Sequence, residues 1–137
     1  MITYRSFGVE LAREVCRIYK ENGWSSYTEH EDKIRDALNG SLYILGAFEN
    51  GILVGFVRCV GDGATILYVQ DLIITLAYQR KGIGTELMKR VLEKYSNVRQ
   101  LVLITDKEDK VSNAFYQSIG LTNDSESNRF NLYYRGR

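Results

Sequence analysis

Gly82 and Gly84, one residue apart and preceded by Arg80 and Lys81, are the residues whose types and spacing suit ligand chemistry most directly. Without a Cβ the backbone turns freely, so several unpaired N–H groups of a first helical turn can converge on one anion. The helix dipole adds partial positive charge at that end, and the two basic side chains add whole charges beside it. Such a turn could cradle a diphosphate; the plainer reading is a tight strand-to-helix turn flanked by solvated cations. Two phosphate motifs are excluded. A dinucleotide fingerprint requires a third glycine where Leu87 stands, and a Walker A loop requires Gly-Lys-Ser/Thr, which the sequence lacks.

The elements that must position this turn can be read from periodicity. Residues 69–74 form a buried strand, and Ile83, Leu87, Met88, Val91, Leu92 and Tyr95 fall on one side of a 3.6-residue helix, so the glycines open a helix. Upstream, residues 2–7 read as a strand. Residues 9–22 read as a helix ended by Asn22-Gly23, and residues 29–38 as a second helix, acidic in its first turn and closed by Asn39-Gly40. Residues 42–48 and 52–60 form a hairpin around Asn50-Gly51, and Asp62-Gly63 turns the chain into a third meander strand, residues 65–75. A strand at 101–105, a helix at 110–118, a polar loop around residues 124–128 and a last strand at 129–134 complete the chain. The plan is α+β with a mixed sheet and no linker or repeat.

Two segments carry a family resemblance. Gln79-Arg80-Lys81-Gly82-Ile83-Gly84 resembles the Gln/Arg-x-x-Gly-x-Gly/Ala acetyl-coenzyme A signature of the GNAT superfamily of N-acetyltransferases. Ala114-Phe115-Tyr116-Gln117-Ser118-Ile119-Gly120-Leu121 resembles that family's later motif, a tyrosine-bearing helix followed by glycine and a large apolar residue. Their order and separation match the family, and the likeness spans nearly the whole chain. Leu53-Val54-Gly55-Phe56-Val57-Arg58, with Gly61-Asp62-Gly63, also resembles a subgroup of small bacterial members. The resemblance implies a GNAT-like fold in a single domain over residues 1–137, with a mixed central sheet of about six to seven strands flanked by about four helices. The sequence contains no proline. Family members often carry one two residues after the coenzyme-contacting strand, where Leu76 stands here, so the turn must be shaped without a fixed proline φ.

The resemblance further implies that backbone groups of Leu72, Ile73 and Ile74 bind the pantetheine arm of acetyl-coenzyme A as though it were another strand. Amides of Arg80, Lys81, Gly82, Ile83, Gly84 and Thr85 would then hold the diphosphate. Tyr116 matches the family's acid tyrosine, a phenol able to donate to the departing thiolate. Asn113 suits either the pantetheine arm or a capping role. Strict alternation puts Tyr68, Gln70 and Leu72 on one strand face, which in the family often looks into the acceptor site, and Val69, Asp71 and Ile73 on the other. With no convincing base on the first face, a water ordered by Gln70 and Asp71 is the expected proton acceptor. Trp24, Ser26 and Tyr27 lie where the family builds one wall of the acceptor pocket; they suit either that wall or a hydrophobic plug.

Composition bounds the rest. At 137 residues and 45% apolar content the chain can bury one core without disulfide or metal staples. A net charge of +1 gives no electrostatic case for nucleic acid or an anionic membrane surface. Cys16 and Cys59 sit in helix and strand patterns as small buried hydrophobes, and one histidine, His30, assembles no metal site. There is no signal pattern at residues 1–5 and no apolar run long enough to span a membrane, so the expected location is cytoplasmic. Tyr133 and Tyr134 suit either a homodimer contact or the finish of a sheet. The reading is an acetyl-coenzyme A-dependent N-acetyltransferase acting on the primary amine of a small molecule; the alternative is a non-catalytic acyl-coenzyme A-binding module.

Overall fold

In the computed structural model, residues 1–24 and 30–136 are described. They divide into two compact units, Met1–Leu103 and Ile104–Arg137. The first unit is a five-stranded mixed sheet in sequential order: β1 (Ile2–Ser6), β2 (Tyr43–Glu49), β3 (Ile52–Gly61), β4 (Ile66–Ile74) and β5 (Gln100–Val102). The first four strands are antiparallel neighbours, and β5 joins β4 in parallel after a helical crossover. Three helices serve this sheet: α1 (Ala12–Glu21), α2 (Glu31–Asn39) and α3 (Ile83–Lys94).

Each strand connection has a local chemical cause. Asn50 at φ 51° and Gly51 at φ 79° give the left-handed pair that a two-residue hairpin demands. At the next turn one carboxylate does the work of a backbone ladder: Asp62 accepts from the N–H groups of Ala64, Thr65 and Ile66 at 2.8, 2.7 and 3.1 Å, and from the Thr65 hydroxyl at 2.6 Å. Those donors hold its carboxyl well below the usual carboxylate range.

The sheet separates two apolar layers. On one face Phe48, Leu53, Phe56 and Ile73 pack with Ala12, Val15, Ile18 and Tyr19 of α1 and with Ile34 and Leu38 of α2. On the other lie Leu45, Ala47, Val57, Cys59, Leu67 and Val69, with Ile83, Leu87, Met88 and Val91 of α3 buried there. Arg90 over the Tyr4 ring and Lys94 over the Tyr43 ring mark α3 as the cover of this second face, because Tyr4 pairs with Ala47 and Tyr43 with Cys59.

The second unit contains α4 (Lys110–Ser118), as expected, and a single turn α5 (Asp124–Ser127) where the sequence suggested only a polar loop. The strand expected at residues 129–134 is not formed, and the sheet has five strands among the described residues instead of six to seven. Asp124 caps α5 backwards, accepting from the N–H groups of Arg129 and Phe130 at 3.0 Å, which turns the backbone entering this segment toward a side chain and away from a ladder. Phe130, Leu132, Tyr133 and Tyr134 are all exposed. Among the described residues, no helix is long and apolar enough to cross a membrane.

Candidate active site

The pairing of β4 with β5 is brief. Ile66, Leu67 and Tyr68 pair with Gln100, Leu101 and Val102, and residues 69–74 continue with no strand on that edge among the described residues. Backbone groups along such an edge need partners, and an extended amide-bearing ligand can supply them. Leu72 and Ile74 are half-buried and Ile73 is buried, so side-chain burial and an open main-chain edge coexist there. One carbonyl at the end of this edge is already engaged: Ile74 O accepts from Asn22 Nδ2 at 3.3 Å and from Gln79 Nε2 at 3.0 Å.

Beyond β4 the chain makes a 3-10 turn, Leu76–Tyr78, and reaches α3 through two left-handed residues, Arg80 at φ 62° and Gly82 at φ 82°. Alternation of this kind turns successive N–H groups toward one concavity. Glu86 N is the first amide to bond back within α3, to Gly82 O at 3.1 Å, which leaves the preceding N–H groups, including those of Ile83, Gly84 and Thr85, as the helix's orphan donors. A Cβ added to Gly82 would meet nothing within 4 Å, so the space above the helix start is open. Arg80 and Lys81 are exposed beside it, Lys81 Nζ lying 5.1 Å from the centre of the Tyr78 ring. The acidic residue of the first turn, Glu86, is held by Arg90 at 2.8 Å. The arrangement can bind an anion at the helix start and an extended amide along the strand leading into it.

In the second unit, α4 presents Tyr116. Asp109 caps the helix by accepting from Ser112 N at 3.0 Å. Its other end is closed by a Schellman pair, Leu121 N to Tyr116 O at 3.1 Å and Gly120 N to Gln117 O at 3.0 Å, with Gly120 at φ 98°. The Tyr-x-x-x-Gly-Leu spacing is therefore the helix stop itself. Burial first, and the Asp109 charge second, push the Tyr116 phenol up to about 12. Asn113 braces the preceding loop: its amide donates to Asp106 O at 3.0 Å, and its oxygen meets the Thr105 hydroxyl.

The model of the acetyltransferase (GNAT) family matches residues 8–121. The chain belongs to the GNAT family. An uncharacterized N-acetyltransferase, ycf52-like, from Prochlorococcus marinus is 32% identical over 127 residues, covering 88% of this chain and 68% of that protein. The structure of a GNAT-family acetyltransferase from Streptococcus pneumoniae TIGR4 is 33% identical, covers 100% of this chain and 99% of that one, and superposes with a TM-score of 0.85. The fold is also that of the PaiA N-acetyltransferase from Thermoplasma acidophilum, solved in complex with coenzyme A, at a TM-score of 0.73, 18% identity, and coverage of 88% and 89% of the two chains.

Within this GNAT chain, the register of β3 against β4 corrects the strand alternation expected at the acceptor face. Arg58 pairs with Asp71 and Cys59 with Val69, so Gln70 is an extra residue, a one-residue bulge. Side chains paired across strands share a face. Tyr68 and Asp71 therefore lie on the α1 face with Arg58, while Leu72 lies with Val69 on the α3 face, because the bulge resets the period. Gln70 is exposed and Tyr68 half-buried.

The bulge also exposes what the sequence reading missed. Tyr19 donates to Asp71 Oδ2 at 2.5 Å and Arg58 Nε donates to the same oxygen at 2.7 Å; Asp71 is 1% exposed. Arg58 reaches on to Ser41 Oγ at 3.3 Å. Burial and then the Asp71 charge push the Tyr19 phenol far above its ordinary range, so it acts as the donor. Asp71 Oδ2 is thus engaged twice, while Oδ1 is buried with no hydrogen-bond partner among the described residues. The available signal was an arginine and an aspartate inside two apolar strand runs of one meander. Trp24 stacks on Tyr19 with ring centres 5.6 Å apart and packs against the core; Tyr27 and Ser26 lie outside the described residues.

Proposed function

We propose that this GNAT-family chain is an acetyl-coenzyme A-dependent N-acetyltransferase that transfers an acetyl group to the primary amine of a small molecule. The single observation that carries this reading is the open edge of β4 running directly into a helix start with orphan N–H groups and flanking cations. Leu72, Ile73 and Ile74 would pair with the pantetheine arm; Arg80, Lys81, Gly82, Ile83, Gly84 and Thr85 would hold the diphosphate. A related fold crystallised with coenzyme A supports the choice of ligand.

The amine nitrogen attacks the thioester carbonyl, a tetrahedral intermediate forms, the C–S bond breaks, and the amine proton leaves to water. Gln70, exposed at the bulge, is the side chain we assign to that water, with Tyr68 and Trp24 toward the acceptor; Tyr27 completes that set from sequence alone. Tyr116 donates a hydrogen bond to the sulfur as negative charge develops. Its pKa of about 12 stands well above a thiol's reference value of about 8.5, so the phenol stabilises the thiolate without surrendering its proton outright. A covalent enzyme intermediate is disfavoured: Cys59 is buried, with its thiol pushed up to about 12 by that burial, and Cys16 is buried too. The same reading takes residues 1–137 as one catalytic domain working in the cytoplasm, with a homodimer contact at the exposed Tyr133 and Tyr134.

The test is release of free coenzyme A thiol from acetyl-coenzyme A across polyamines, aryl-alkylamines, amino acids and aminoglycosides, with Tyr116→Phe alongside. Saturable release with one amine class, much reduced in the variant, is expected. Tight coenzyme A binding with no release from any amine would point instead to the binding module.

A further inference from the structure

The buried cluster of Tyr19, Arg58 and Asp71 stands outside the reaction just described, yet it sits at the place where the sheet opens. A buried carboxylate needs charged or hydrogen-bonding partners, and the α3 face beside Val69 offers Leu87, Met88 and Val91. The α1 face offers Arg58 and Tyr19. In a regular strand Asp71 would share the face of Val69; the extra residue Gln70 carries it to the other side. The burial requirement of one side chain thus favours the bulge. A bulge bends its strand and raises the local twist, and β4 stops pairing with β5 at Tyr68, two residues before Gln70. Three elements converge on the spot: Tyr19 from α1, Arg58 from β3 and Asp71 from β4, with Ser41 behind Arg58.

We propose that Tyr19, Arg58 and Asp71 are positioning residues for the ligand-binding edge of β4: they lock the bulge at Gln70 and with it the point where β4 parts from β5. The proposal rests on the reading that this edge takes the coenzyme. None of the three touches the coenzyme; each acts through the backbone of residues 70–74. Their effect is therefore on coenzyme affinity and on the exchange of those amides, separately from stability.

A buried ion pair can often be replaced by apolar side chains of similar size without loss of stability, which separates the two roles. The double variant Arg58→Met/Asp71→Leu and the single variant Tyr19→Phe are compared with wild type in thermal melts, calorimetric titration with coenzyme A, and amide hydrogen exchange of the free protein. Expected is a double variant that melts near wild type but binds coenzyme A about tenfold or more weakly, since small misplacements of a binding frame are costly. Its amides at residues 70–74 should exchange faster. Tyr19→Phe, which removes one hydroxyl, should move affinity and exchange in the same direction and carries the test if the double variant does not fold. Variants as stable as wild type that bind coenzyme A equally well, with unchanged exchange at residues 70–74, would overturn the proposal. Failure of the wild-type protein to bind coenzyme A would overturn the functional reading instead; the exchange comparison on the free protein would then decide the role of the cluster by itself.

Discussion

Tyr116 keeps its proton across the whole range in which an amine substrate changes its own. Its pKa is raised to about 12, so the neutral phenol persists at every pH below that value and ionises only above it. An alkylamine, with a reference pKa of about 10.4, becomes increasingly nucleophilic as pH climbs. The kcat/KM for the amine should therefore rise with pH from 7 to about 10, with no descending limb from Tyr116. Tyr116→Phe should lower kcat about 100- to 1,000-fold, as loss of one transition-state donor does, and leave the ascending limb in place. A descending limb near pH 8 or 9 that vanishes in the variant would refute the assignment. Gly82 answers to a different constraint. At φ 82° with open space around its Cα, it resists a side chain through backbone strain alone. Gly82→Ala should cost about 1–2 kcal/mol of stability in denaturant melts and weaken coenzyme A binding, because relief of the strain reorients the N–H groups that open α3.

At the scale of elements, the C-terminal end of α1 holds the loop that leads to α3. Glu21 Oε1 accepts from Leu76 N at 2.7 Å, and Asn22 bonds both Ile18 O and Ile74 O. Thr75 already has φ −60° and ψ 150°, the backbone a residue before proline prefers. The turn is thus shaped by a carboxylate on Leu76 N–H, a donor that proline lacks. Leu76→Pro should be close to neutral in the wild-type protein, where the lost hydrogen bond offsets the gain in chain stiffness. In a Glu21→Ala background it should be stabilising, by about 0.4–1 kcal/mol. A double-mutant cycle in urea measures the difference, and purely additive effects would show that Glu21 does not shape the turn. This linkage was not legible in the sequence, since it joins residues 55 apart. What was legible obeys local rules: the Asn50-Gly51 hairpin, the Asp62-Gly63 turn, the glycine-opened α3, and α4 with the bounds Lys110–Ser118. The bulge at Gln70 broke a period-2 reading because an inserted residue leaves no compositional mark, and the cluster it serves is made of tertiary partners. The segment 129–134 has the composition of a strand, but strand formation depends on a neighbouring ladder, which no local pattern supplies.

For the molecule as a whole, eighteen basic residues nearly balance seventeen acidic ones, leaving a net charge of +1. A field of that size neither steers an anion from a distance nor repels a cationic amine. On the proposed reading, affinity for a coenzyme diphosphate comes from the first turn of α3, where the backbone donors are fixed, and from Arg80 and Lys81, whose exposed charges are screened by salt. These two sources respond differently to ionic strength. Donor N–H groups at a helix start act at contact distance and lose little as salt rises, whereas two exposed cations lose most of their contribution once the screening length falls to about 3–10 Å. Titrations with coenzyme A between about 0.05 and 1 M salt should show affinity falling by no more than about tenfold to a plateau. The double variant Arg80→Gln/Lys81→Gln should begin near that plateau and show almost no further dependence on salt. Gly82→Ala, by contrast, should lower the plateau while preserving the slope. If affinity in the wild-type protein fell steadily through the whole range, or if the double variant kept the wild-type slope, the binding energy would have to come from charges elsewhere on the surface, and the assignment of the helix start as the diphosphate cradle would fail.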